Sequence, residues 1–151
     1  MNATDRVLYF DTSALAPLYI PEVFSRGADE AVRSEGLRCV SSLGLTEFSA
    51  AARAKCLRGE LSAEDAQSAY SVFREHVEVG LFDGVVVEER DHRSARDLPW
   101  RVIVAVRALG AIHVAVADRL GAVMVSADER LLSMACEVGL EVIDIRAVSE
   151  L

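Results

Sequence analysis

Apolar and polar residues alternate with different periods along this chain, and each change of period marks a new element. The segment Arg6–Asp11 reads RVLYFD, a short apolar run rich in strand formers, and it predicts a buried first strand. Similar runs predict four further strands, over Leu37–Ser42, Phe82–Val87, Ala122–Ala127 and Leu140–Ile145. None of these runs is long enough to suggest a helix on its own.

Helical patterns fill the intervals between the strands. Leu45, Phe48, Ala52 and Cys56 recur on one stripe and predict a helix over Leu43–Leu57. The other predicted helices span Ser13–Ile20, Glu22–Ser34, Ser62–Val79, Glu88–Leu98 (ended by Pro99), Leu109–Leu120 and Glu129–Val138. Strands that alternate with helices imply right-handed crossovers and a parallel sheet covered on both faces. We therefore predict an α/β fold: one three-layer α/β/α domain over residues 1–151 with a central, mainly parallel sheet.

Composition limits the classes of protein that fit this fold. Hydrophobic residues make up 52% and charged residues 26% of the 151 positions, which is typical of a folded chain with one sizeable core. No apolar run approaches the roughly 18 residues that span a bilayer, and no signal peptide is evident, so we expect a cytoplasmic protein without a membrane segment. The net charge of −8 argues against indiscriminate nucleic-acid binding. An RNA substrate would need a local basic patch or a metal ion.

Three acids follow predicted strands. Asp11 ends the first strand, Glu47 lies in the first turns of the helix after the second, and Asp128 follows the strand at Ala122–Ala127. Ligand sites in open parallel sheets form at these carboxyl ends. Clustered carboxylates repel one another unless a cation lies between them, and oxygen ligands suit Mg²⁺ or Mn²⁺. Helix capping is the alternative for Asp11 and Asp128, since each precedes a predicted helix.

Four segments carry a resemblance to a known family. They read YFDTSALAPLY at 9–19, LTEFSAA at 45–51, RALGAIHVAVADRLGA at 107–122 and MVSADERLLSMACEVGLEV at 124–142. In this order and spacing, the chain resembles the PIN-domain family, especially the VapC-like toxins of type II toxin–antitoxin systems. The resemblance implies an endoribonuclease that cuts structured RNA with Mg²⁺ or Mn²⁺. It also implies a homodimer and a cognate VapB-like antitoxin.

The family's four acids map onto the chain incompletely. The resemblance places the first at Asp11, the second at Glu47 and the fourth at Asp128, as catalytic residues and metal ligands. The third should head the segment read as DAIH, where this chain has Gly110. Asp118 cannot replace it, because eight helical residues separate the two positions by about 12 Å. We therefore predict an intact scaffold with an impaired nuclease site.

Other residues near these segments have less specific interpretations. His113 is expected to be a packed, hydrogen-bonded histidine, and the hydroxyls of Thr12, Ser13, Thr46 and Ser126 could bond the acids or serve as caps. Two basic groups could hold an RNA backbone or form a solvated surface. These are Arg53, Lys55 and Arg58, and the group Arg90, Arg93, Arg96 and Arg101.

Two alternatives to an active toxin stay open. A catalytically inactive PIN domain that only binds antitoxin or RNA is favoured by Gly110. A phosphatase or a phospho-acceptor receiver would also centre on an aspartate. The phosphatase needs a second aspartate where Ser13 stands, and the receiver needs a lysine near its end, whereas the only lysine is Lys55.

Overall fold

Five parallel strands form the centre of the molecule. A computed structural model describes residues 6–148. The strands are β1 (Val7–Phe10), β2 (Leu37–Ser41), β3 (Asp83–Val85), β4 (Val123–Ser126) and β5 (Val142–Asp144), in the order β3-β2-β1-β4-β5. Tyr9 in the central strand pairs with Cys39 on one side and Met124 on the other, and all neighbouring strands are parallel. All five predicted strands are present, and each is shorter than predicted at one end or both.

Seven helices connect and cover the strands. They are α1 (Thr12–Tyr19), α2 (Ser25–Val32), α3 (Ser42–Leu57), α4 (Ala63–Glu78), α5 (Glu89–Arg101), α6 (Ala108–Arg119) and α7 (Glu129–Glu137), followed by a short 3₁₀ helix at Ile145–Val148. The predicted three-layer α/β/α architecture is confirmed. Among residues 6–148, no helix has the length and apolar content to cross a membrane. The single domain over residues 1–151 stays a prediction.

Two helix boundaries differ from the prediction by three residues, and the others by two residues or fewer. Pro99 lies inside α5 instead of ending it, and the Val102 N–H still donates to the Leu98 carbonyl at 3.1 Å. A proline removes only its own donor and has a helical φ, so a last turn can continue past it. The second helix starts at Ser25, because Glu22 opens a turn in which the Ser25 N–H bonds the Glu22 carbonyl at 3.0 Å.

The sheet separates two hydrophobic cores. Leu8 and Phe10 on β1 face the core formed with α1 to α4, whereas Tyr9 faces the core formed with α5 to α7. This alternation follows from the two-residue period of a strand. Because β1 is central, its last side chains reach both layers, and the residue that follows it, Asp11, emerges between them.

A buried ion pair joins α5 to α6. The Arg119 guanidinium donates two hydrogen bonds to the Asp91 carboxylate, at 2.7 and 2.9 Å, with side-chain exposures of 16% and 1%. Asp91 also accepts from the Glu88 N–H at 2.8 Å as part of a capping box. The start of α5 is therefore fixed to the end of α6.

Candidate active site

Asp11 lies at the centre of the carboxyl edge of the sheet. It is only 5% exposed and caps α1, where its carboxylate accepts from the Ala14 N–H at 3.2 Å and from the Ser13 hydroxyl at 2.8 Å. Burial raises the pKa of Asp11 to about 6, although nearby His113 and the hydroxyls of Ser13 and Ser126 oppose the rise. The capping role considered from sequence is realised here, in a carboxyl group with little access to water.

Glu47 is held by residues from two other elements. Its Oε1 accepts from the Thr12 hydroxyl at 3.1 Å and contacts the Nε2 atom of His113 on α6. The other ring nitrogen of His113 lies 2.6 Å from the Tyr9 hydroxyl, which donates to Ser41 Oγ at 2.8 Å. A chain of hydrogen bonds therefore runs from Glu47 into the core, beneath the sheet edge.

Part of this chain of hydrogen bonds was predicted from the sequence. His113 is packed and hydrogen-bonded as expected, and Thr12 bonds Glu47, but Thr46 instead donates to the backbone of its own helix. Tyr9 and Ser41 were missed. A tyrosine inside a buried strand usually needs a partner for its hydroxyl, and that was the available signal.

Asp128 lies at the start of α7 and is exposed. Its Oδ1 accepts from the N–H groups of Arg130 at 3.0 Å and Leu131 at 3.2 Å, and its own N–H donates to Ser126 Oγ at 2.9 Å. The hydroxyls of Ser126 and Ser13 are 3.1 Å apart, and Ser13 also bonds Asp11. A short hydroxyl bridge thus connects the Asp128 backbone to the Asp11 carboxylate.

Gly110 lies in the first turn of α6 and borders the same cavity as Asp128. The cavity measures about 270 Å³. A Cβ atom added at Gly110 would meet only methyl groups of Leu131 and Met134, each at 3.8 Å, which is ordinary contact. A Cβ atom at position 110 is therefore sterically allowed. Asp118 is exposed near the far end of α6, in agreement with the expected separation.

The three acids do not form a ready-made metal site. Within residues 6–148, no group of three or more His, Cys, Asp or Glu side chains is arranged to hold a metal ion. Asp11, Glu47 and Asp128 each accept hydrogen bonds from protein donors. Gly110, at the position of the missing acid, has no side chain that could serve as a ligand. As they stand, these residues do not fit a bound divalent cation, because its several oxygen ligands must converge on one point and these carboxylates do not.

A comparison with protein families settles the classification. A family model described as PIN domain matches residues 8–136. The chain belongs to the PIN-domain family. PIN domains are generally nucleases, and those nucleases typically use divalent metal ions. Among curated proteins, none matches the chain.

Solved structures share the PIN fold of this chain. FitAcB from Neisseria gonorrhoeae has a TM-score of 0.62 at 12% identity, covering 91% of this chain and 97% of that one. PAE2754 from Pyrobaculum aerophilum has a TM-score of 0.60 at 17% identity, covering 99% and 91%. At these identities the similarity establishes the fold alone.

Proposed function

We propose that this PIN domain is a VapC-like toxin, an endoribonuclease for structured RNA whose cleavage is impaired because Gly110 replaces the third acid. The observation that carries the proposal is the position of Gly110. It borders the Asp128 cavity, and the space above its Cα would accept a Cβ atom without moving Leu131 or Met134. The scaffold of a PIN nuclease is thus retained around one missing side chain.

The catalytic group in this proposal consists of Asp11, Glu47 and Asp128. They would hold Mg²⁺ or Mn²⁺, the ions that prefer carboxylate oxygens, once a fourth acid completes the set. In the chain as it stands, hydrogen bonds from Ser13, from His113 and from backbone amides occupy these carboxylates. That occupation supports a low affinity for the ion and hence low activity.

The variant Gly110→Asp tests this function. We expect little RNA cleavage by the original chain, and cleavage dependent on Mg²⁺ or Mn²⁺ by the variant, together with toxicity on expression. Loss of a metal-site carboxylate commonly costs about 10–100-fold in metal affinity or activity, so a gain of at least that size is expected. The measurement is the cleavage rate of a structured RNA, with and without a chelator.

Two control variants make the test specific. Gly110→Asn has nearly the same size as Gly110→Asp without its charge, so it should restore nothing. Adding Asp11→Ala to Gly110→Asp should abolish the gain, because it removes the carboxylate at the end of β1. Efficient cleavage by the original chain, unchanged in Gly110→Asp, would mean that Gly110 is not the vacant acid position.

A catalytically inactive PIN domain that acts by binding antitoxin or RNA is the second candidate. It is favoured by the hydrogen bonds that each of the three carboxylates already accepts from a protein donor. If Gly110→Asp shows no metal-dependent cleavage while the original chain still binds a cognate antitoxin, this second function is supported over the first.

The partners in this proposal are a VapB-like antitoxin and a second copy of the chain, with a cytoplasmic location. The acidic chain, with a net charge of −8, suits a basic partner protein. Trp100 and Ile103 are 89% and 96% exposed, and large exposed apolar side chains support a contact between subunits. Light scattering should give at least twice the chain mass of 16.4 kDa, and a monomer mass would contradict the homodimer.

A further inference from the structure

The basic side chains of this acidic protein are mostly held by protein partners. Both basic groups singled out from the sequence are engaged almost throughout. Lys55 pairs with Glu22 and Glu60, Arg58 with Glu60, Arg90 with Glu88, Arg93 and Arg96 with Glu89, and Arg53 contacts the Cys56 sulfur. A guanidinium that is already paired is a poor site for a phosphate, because binding must first break the existing pair.

Three arginine side chains form no hydrogen bond and no ion pair with any of residues 6–148. They are Arg101, Arg107 and Arg130. Arg107 and Arg130 line the cavity of about 270 Å³ that also contains Gly110 and Asp128, whereas Arg101 does not line it. Two of the three guanidinium groups without a partner therefore border the cavity in which the third acid is missing.

The two acids that line this cavity, Asp128 and Glu129, do not pair with either arginine side chain. Asp128 accepts the backbone N–H groups of Arg130 and Leu131, and Glu129 pairs with Arg146 at 3.6 Å. Gly110 adds no charge. Two unpaired guanidinium groups beside an open cavity are suited to an anion with several acceptor oxygens, and arginine forks match phosphate geometry well.

We propose that Arg107 and Arg130 form a phosphate-binding subsite for a nucleic-acid strand in the cavity above Gly110. The subsite rests on the proposed function, since it holds the substrate of that same site, but it requires no metal ion and no cleavage. Phosphate contacts fix the position of a strand and carry no sequence information, so RNA and DNA strands of one sequence bind it similarly. Loss of the acid thus leaves a cavity that binds the strand without cutting it.

The test measures binding of a short fluorescein-labelled single strand to the full chain in a chelator, by fluorescence anisotropy over a range of salt concentrations. The slope of the logarithm of the binding constant against the logarithm of the salt concentration should become shallower by about 0.7 in Arg107→Gln and in Arg130→Gln. If a variant and the original chain bind equally at about 1 M salt, this difference in slope makes the variant bind about eightfold more weakly at about 50 mM salt. Gly110→Asp should also weaken binding in the chelator, because it puts a negative charge beside both arginines.

Arg101→Gln is the matched control, since it removes an unpaired arginine outside the cavity and should leave the affinity within about twofold of the original. Equal losses in all three arginine variants would overturn the subsite in favour of general charge attraction. Absence of binding by the original chain at low salt would overturn it as well. Neither result depends on metal or cleavage, so both are distinguishable from failure of Gly110→Asp to cut RNA.

Discussion

Replacing Asp11 with asparagine should stabilise the fold at neutral pH when no divalent ion is present. The pKa of Asp11 is raised from 3.8 to about 6, chiefly because burial disfavours its charged form. At about 1.4 kcal/mol per pKa unit, the ionised carboxylate costs the native state about 3 kcal/mol. An asparagine keeps an oxygen that can accept from Ser13 and from the Ala14 N–H but carries no charge.

The pH dependence has a definite sign. Between pH 3.8 and about 6 the native state binds more protons at Asp11 than the unfolded state does, so stability falls as pH rises through this window. Asp11→Asn removes this decrease in stability, because asparagine does not titrate. Its advantage should be largest above about pH 6 and should nearly vanish at about pH 4, where the native carboxyl group is protonated.

Urea unfolding of both proteins in a chelator, at several pH values, measures the difference directly. Asp128→Asn is the matched control, because Asp128 also caps a helix but is exposed. Asparagine caps a helix as well as aspartate does, so the free energy of unfolding should change by no more than about 0.5 kcal/mol at neutral pH. If Asp11→Asn is less stable than the original chain at neutral pH, or if its advantage is the same at low pH, burial is not what raises this pKa.

Two further predictions concern the scaffold. Asp91→Ala should cost about 3 kcal/mol in urea unfolding, because it leaves the Arg119 guanidinium largely buried without its carboxylate; a loss below about 1 kcal/mol would show that the pair is dispensable. Gly27→Ala should lower the melting temperature strongly, since its Cβ would lie 1.9 Å from the Ile145 carbonyl oxygen, whereas Gly44→Ala, with no contact below 3.7 Å, should be tolerated. Equal effects of the two glycine substitutions would contradict the close approach at Gly27.

The fold was largely predictable because the two central strands, β1 and β4, are almost entirely buried. β1 and β4 are continuous apolar runs of β-formers, and the pattern of strand and helix then leaves few topologies. Helix ends were less predictable: Pro99 reads as a stop in isolation, but the packing of Ala95 and Leu98 keeps the last turn of α5 in place. Tertiary contacts decide such boundaries.

The candidate site was predictable in position but not in its partners. Asp11 and Asp128 follow strands, so topology alone assigns them to one sheet edge. The Tyr9–Ser41 and Tyr9–His113 bonds join residues 32 and 104 positions apart, and they depend on the pairing of β1 with β2 and on the packing of α6. No local pattern encodes such distances, which is why the interior chain of hydrogen bonds appeared only in the structure.

The ion pair between Asp91 and Arg119 has an evolutionary consequence. It anchors the far end of α6, whereas Gly110 lies in the first turn, so this anchor does not depend on the residue at position 110. A Cβ atom at position 110 also fits without a clash, so a substitution there leaves this ion pair and its contribution to the fold intact. A gene for such a domain can therefore change the residue at position 110 by a single substitution and still encode a folded protein.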